Sequence, residues 1–413
     1  MKRICTLIFV LISVLGLFSS CNPEVKGSGE GGKPKVYYIG VGLQYDVPIS
    51  SEDGNNYYLG IMDDNENSAE AGFLAGTVND IAEFSTAYGI LLNKNDIEYE
   101  PYFFLQQGTP WYSGIEYSYL IKPYGQGYST KVDSFTIDGV KPSPAALESV
   151  KSAYASWLEE NPYAPTKSNI LNLIKTTLKE KVKEGDLVVF MYSGHGLRGS
   201  GAMNVLPEGF CPFMNTKAMR EGAGSTTFLP SELYEALNCL PCKKVVFFDS
   251  CYSGNAISAF QKEHYETGMM DFLGPDAFES IDVRKGLLSS KADFDDFSIL
   301  AATDFGHSSY DSVKIKTTEY FEGHGQMMAI LLESLGWNHS KDVYSVLSKD
   351  NLATANDITI HGSSSEKVAF DGPVTVDSLY SYVKPIQDEA IGYKYKLSMT
   401  SGSTTVCLIP KVF

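Results

Sequence analysis

Residues 243–256 read KKVVFFDSCYSGNA. Four apolar residues, Val245 to Phe248, run straight into Asp249, Ser250, Cys251, Tyr252, Ser253 and Gly254. A short run that is apolar at every position is a strand buried on both faces, and such strands belong to parallel sheets covered by helices. In those sheets ligands bind outside the carboxyl ends of the strands. Cys251 stands just beyond such an end. It is either a packed thiol or a nucleophile held at a rim.

The same pattern recurs along the chain. VYYIGVG (36–42), residues 97–105, LVVFMY (187–192) and FSILAA (297–302) are further apolar runs of strand length. Between them the apolar spacing is helical. Leu74, Val78, Ile81, Phe84, Tyr88 and Leu91 form one stripe; Ile170, Ile174, Leu178 and Val182 form another, with Thr166 or Ser168 as its cap and Gly185 as its stop. Ser231 is expected to cap a helix carrying Leu233, Leu237 and Leu240, and residues 326–335 and 376–383 also read as helices. Strands alternating with helices predict an α/β three-layer sandwich, with a mainly parallel central sheet and helices on both faces. Residues 106–165 break the rhythm. They are rich in Tyr, Gly and Pro, alternate like a strand at Tyr117, Tyr119 and Ile121, hold a short helix near 145–159, and read as an insertion.

A second strand ends in chemistry. LVVFMY leads into Ser193-Gly194-His195-Gly196. If the two strands are neighbours, an imidazole and a thiol share one rim. An ordinary cysteine is only a few per cent thiolate at neutral pH. A nearby imidazole can take its proton and later protonate a leaving amine. Gly194 and Gly196 allow a tight turn, so the amides of Gly196 and Cys251 are candidates for an oxyanion hole. Taken singly, a strand-end cysteine is usually just packed and a histidine in a Gly-rich turn is a loop residue; both in the same setting point to catalysis. His264, His307, His324, His339 and His361 lack that setting and read as surface or packing residues.

YSGHG (192–196) together with DSCYSG (249–254) resembles the caspase-like cysteine peptidases, closest to the metacaspase and clostripain branches. LAGTVNDIAEF (74–84), PTKSNI (165–170), ILAATDFGHSSYD (299–311), GHGQMMAILLESL (323–335) and DGPVTVDSLYSYV (371–383) extend the resemblance over about 36–383, with 106–163 unmatched. The resemblance implies a caspase-like fold and a dyad of Cys251 as nucleophile and His195 as general acid/base. It also implies an acidic pocket for the residue before the scissile bond, built by Asp80 and Asp249 with Ser193 beside them. Two carboxylates suit Arg or Lys, which makes a peptide or protein with basic residues the expected substrate. The plainer alternative leaves Asp80 capping its helix and Asp249 accepting turn amides. Tyr252 replaces the His of the familiar metacaspase DSCHSG, as is usual in bacterial relatives.

The chemistry requires no cofactor, and no resident metal is assigned. Some relatives need Ca²⁺, and Asp293, Asp295 and Asp296 form a carboxylate cluster before the fifth strand; a solvated turn is the other reading. Lys217, Arg220, Arg284, Lys285 and Lys291 lie in candidate loops where a basic-specific enzyme would cut itself.

The chain has 413 residues, 43% of them apolar, enough for one large core. A net charge of −17 argues against nucleic acid or anionic lipid as a partner. Lys2 and Arg3 precede an apolar run to Phe18, too short to span a membrane comfortably, and Ser19-Ser20-Cys21 follows. This resembles a bacterial lipoprotein signal (1–20) with lipid on Cys21; ordinary secretory cleavage is the alternative. Residues 21–35 read as a flexible tether and 36–413 as the peptidase domain. The expectation is therefore an exported monomer of the cell envelope, anchored to a membrane by lipid. Cys239 and Cys242 have redox or metal spacing, but with no second such pair a local disulfide or plain buried thiols are expected. The competing function is a catalytically idle lipoprotein that binds peptide or glycan through the aromatics of the insertion, Trp111, Tyr112, Tyr117, Tyr119 and Tyr124. A cysteine hydrolase or transferase acting on other amides is a third reading.

Overall fold

The computed structural model describes residues 33–44, 48–50, 56–58, 74, 76–106, 115–124, 127–141, 143–197, 209–210, 228–251, 253–254, 256, 297–303, 309, 324–338, 360, 362–364, 366–391, 397–399 and 406–411. The expected signal and lipidation site Cys21, the carboxylate cluster 293–296 and the candidate self-cleavage sites fall outside them. So do Cys211, Trp111, Tyr112, His264, His307, His339 and His361.

The predicted apolar runs are the strands of one sheet: β1 (Lys35–Leu43), β2 (Glu98–Gln106), β3 (Leu187–Ser193), β4 (Lys243–Asp249) and β5 (Phe297–Ala301), with a two-residue β6 (Ser398–Met399). The spatial order is β6-β5-β4-β3-β1-β2. β1 to β5 pair in parallel, and β6 joins β5 antiparallel at the edge. β3 and β4 are therefore direct neighbours near the middle of the sheet.

Helices cover both faces. One layer holds α1 (Thr77–Lys94), α5 (Gln326–Ser334) and α6 (Val376–Ile391), which pack on Tyr38, Phe103, Met191, Phe247 and Leu300. The other holds α3 (Lys167–Asn172, Leu173–Leu178 and Lys179–Lys181) and α4 (Pro230–Asn238), which pack on Ile39, Phe104, Phe190, Phe248 and Ile299. Alternate residues of each strand serve opposite cores, which is why the strands are apolar throughout. The sandwich predicted from the sequence is present. The stretch expected as an insertion contains a hairpin, Ile115–Tyr124 with Gly127–Ile137, and α2 (Pro144–Glu160).

Local signals explain most boundaries. The Thr166 side chain caps α3, accepting from the Asn169 amide at 3.2 Å, so Thr166 and not Ser168 is the cap. Residues 173–178 form a π turn, within which the Thr176 hydroxyl bonds back to the Asn172 carbonyl at 2.5 Å. Ser231 is not a cap. It lies inside α4, behind Pro230 at the first turn, and the Glu232 carboxylate accepts the Leu229 amide at 2.9 Å instead.

Phe247 is fully buried, with its ring centroid 5.6 Å from that of Phe84 on α1. Phe247→Ala is expected to destabilise the fold by about 3–5 kcal/mol, read as a lower denaturant midpoint, and a loss below about 1 kcal/mol would contradict this packing.

Candidate functional site

The site is assembled by strand register. Asp249, the last residue of β4, lies opposite Ser193, the last residue of β3. The Gly194 amide then donates to the Asp249 carbonyl at 3.2 Å, which ties the two strand exits together. Two residues beyond each paired position stand His195 and Cys251. Their turns touch. A Cβ on Gly196 would lie 1.8 Å from the Cys251 carbonyl oxygen, so only glycine permits this approach. The Tyr192 hydroxyl donates to the His195 carbonyl at 2.8 Å, holding that turn. His195 and Cys251 are both half-buried.

The exit from Cys251 is pinned as well. The Thr303 amide, just past β5, donates to Ser253 Oγ at 3.1 Å. Cys251 Sγ lies 3.7 Å from the Ser309 carbonyl oxygen. Ser250 is buried and its hydroxyl has no hydrogen-bond partner among the described residues; its oxygen is 3.2 Å from where a Gly196 Cβ would sit. Neither Ser253, Thr303 nor Ser309 was singled out in the sequence. Each acts through a contact between distant segments.

Asp80, Asp249 and Ser193 meet around Gly325 at the start of α5. A Cβ there would fall 2.4 Å from Asp249 Oδ2 and 3.0 Å from Asp80 Oδ2. Asp80 sits in the first turn of α1 yet bonds to other elements: it accepts the Ser193 hydroxyl at 2.7 Å and the Gly325 amide at 3.0 and 3.1 Å. Asp249 accepts the Ser309 hydroxyl at 2.9 Å and the Met328 amide at 3.1 Å. Both carboxylates thus face the amino end of α5, where unsatisfied amides and the helix dipole favour negative charge. Asp80 is 0% exposed and Asp249 is 5% exposed, so both carboxylates are buried.

His324 completes the cluster. The sequence placed it with the surface or packing histidines; it is buried and doubly ion-paired. Its Nδ1 is 3.0 Å from Asp80 Oδ1 and its Nε2 is 3.3 Å from Glu83 Oε2. Trp337 Nε1 donates to the same Glu83 oxygen at 2.6 Å. Burial pushes the imidazole pKa down. The Glu83 charge and the hydrogen bonds with Asp80 and Glu83 outweigh burial and push it up to about 10. The signal in the sequence is GHG at 323–325, a histidine between glycines at a helix start.

Among the described residues no group of three or more His, Cys, Asp or Glu is arranged to hold a metal ion. Cys239 is exposed and Cys242 buried; both are thiols, and no local disulfide joins them. No helix among the described residues is long and apolar enough to cross a membrane.

The family model of the caspase domain matches residues 146–371, more than half of the chain and inclusive of both strand-end turns. The chain belongs to the caspase-domain family. No curated protein matches it. The family match begins within the stretch expected as an insertion and leaves out β1, α1 and β2. In the caspase-domain chain described here, however, those elements complete the same sheet and bring Asp80 to the site. Membership of this family makes the protein a caspase-like cysteine peptidase in its general class.

The raised His324 value fixes a pH dependence. The folded state holds a proton that an unfolded histidine, with pKa about 6.5, releases, so this contribution to stability is complete below about pH 6.5 and lost as pH rises through about 10. The stability advantage of wild type over a His324→Gln/Glu83→Gln double variant is expected to narrow across that range, followed by denaturant unfolding at several pH values. An advantage that stays constant contradicts a charged His324.

Proposed function

We propose that this protein is a cysteine endopeptidase that cuts after Arg or Lys, with Cys251 as nucleophile and His195 as general acid/base. The observation that carries the reading is the packing of the His195–Gly196 turn directly on the Cys251 backbone, at the carboxyl ends of adjacent parallel strands. The His195 imidazole takes the thiol proton as Cys251 Sγ bonds to the substrate carbonyl carbon. The amides of Gly196 and Cys251 stabilise the oxyanion, a single such donor being worth about 3 kcal/mol of barrier. His195 then gives the proton to the leaving amine, the C–N bond breaks, and a thioester remains on Cys251. Water, deprotonated by His195, attacks the thioester and releases the carboxylic acid and the thiol.

The acidic cluster supports the choice of a basic residue. Asp249 lies two residues before the nucleophile and has Asp80 beside the same glycine. A substrate carboxylate would be repelled there, whereas a guanidinium or ammonium offsets the charge. We assign the protein to the metacaspase or clostripain branch on the YSGHG and DSCYSG motifs. We read it as an exported bacterial lipoprotein, monomeric and anchored through Cys21, on the Lys2-Arg3, apolar and Ser19-Ser20-Cys21 segments. We read its catalysis as needing no cofactor, since thiol and imidazole supply the nucleophile and the proton transfers.

Purified wild type is expected to hydrolyse fluorogenic peptides ending in Arg or Lys. Cys251→Ala and His195→Ala should each lose at least about a thousandfold in kcat/KM, since nucleophile and base act as a unit. Asp249→Ala should raise KM for Arg and Lys peptides while Cys251 still reacts with a small alkylating agent. A wild type that cuts nothing, or a Cys251→Ala variant that cuts equally well, refutes the peptidase. Hydrolysis of acidic in preference to basic peptides refutes the specificity. Intact mass of membrane-extracted protein should show lipid on a chain beginning at Cys21, and none on a Cys21→Ser variant.

A further inference from the structure

The buried ion cluster beneath the acidic pocket is larger than the proposed catalysis uses. Asp80 and Glu83 are three residues apart on α1, both fully buried, and Asp249 approaches from β4 across Gly325. Carboxylates crowded out of water repel one another unless a cation stands between them. Asp80 is surrounded on both its oxygens, by Ser193, His324 and the Gly325 amide.

His324 relieves this repulsion by geometry. Its ring spans from Asp80 to Glu83, one nitrogen to each, and Trp337 fixes the far oxygen of the bridge. Among the described residues it is the cation in contact with both acids. Asp80, Glu83 and His324 together then carry one net negative charge in place of two. We propose that His324 is a positioning residue of the specificity pocket: clamped as a cation between Asp80 and Glu83, it offsets their mutual repulsion, so that Asp80 holds Ser193 and Gly325 in place beside Asp249, where the substrate's basic side chain is recognised. This rests on the peptidase reading for its functional half. His324 acts through Asp80 and touches no reacting atom.

Charge balance makes a prediction that size and packing do not. His324→Gln keeps a donor but removes the charge, leaving two buried acids with no cation between them. Glu83→Gln keeps an acceptor for Trp337 but removes the excess acid. KM and kcat for an arginyl peptide at neutral pH, and melting temperature, are measured for wild type, each single variant and the double variant. His324→Gln is expected to raise KM about tenfold with kcat within about twofold of wild type, because the loss is one of ground-state and transition-state binding alike. Adding Glu83→Gln to it should recover most of that KM. Glu83→Gln should lower the melting temperature of wild type yet raise that of His324→Gln. Unchanged KM in His324→Gln, or a double variant no better than the single one, overturns the pocket role. A Glu83→Gln change that lowers the melting temperature in both backgrounds overturns the charge clamp. Should wild type cut no peptide, the peptidase reading falls by itself, and the reversal of sign in melting temperature decides the clamp alone.

Discussion

The parallel pairing of β3 with β4 is the constraint on which the site depends. Seven residues of each strand align, from Leu187 opposite Lys243 to Ser193 opposite Asp249. The register is fixed by two cores at once. A slip of one residue would turn Phe247 toward the α3–α4 layer and Phe248 toward the α1–α5–α6 layer, leaving both packed against the wrong partners. Because the register is held by many buried side chains, the two exits, His195-Gly196 and Ser250-Cys251, arrive at one place without either turn needing stiffness of its own. The hydrogen bond from Gly194 to Asp249 and the close approach of Gly196 to Cys251 follow from it.

The neighbouring helix end imposes the second constraint. The amino terminus of α5 points at the strand exits, and its free amides attract Asp80 and Asp249. Those same contacts concentrate negative charge under the rim. The carboxylates that the helix end holds are also those of the proposed specificity pocket, and His324 lies against one of them, Asp80.

The sheet was legible in the sequence because a strand buried on both faces leaves an uninterrupted apolar run. The helices were legible from their stripes, and His195 and Cys251 from their common position after such runs. What stayed hidden is what depends on tertiary contact. Ser231 looked like a cap, yet Pro230 starts the helix a residue earlier and Glu232 satisfies the Leu229 amide from within. The π turn in α3 leaves no mark in apolar spacing. His324 could not be paired with Asp80 and Glu83, more than two hundred residues away, before α5 was known to lie against α1. Asp80 and Asp249 are legible by motif; that both are buried against the amino end of α5 is a property of packing alone.

The central claim is that the imidazole on one strand activates the thiol on the next. It is tested most directly by the rate at which a small uncharged alkylating agent modifies Cys251 across pH, in wild type and in His195→Ala. At neutral pH the account predicts alkylation of wild type about tenfold faster or more, since an unassisted cysteine is only a few per cent thiolate there, with the two rates converging at alkaline pH where the thiol ionises unaided. Equal rates at every pH would contradict it.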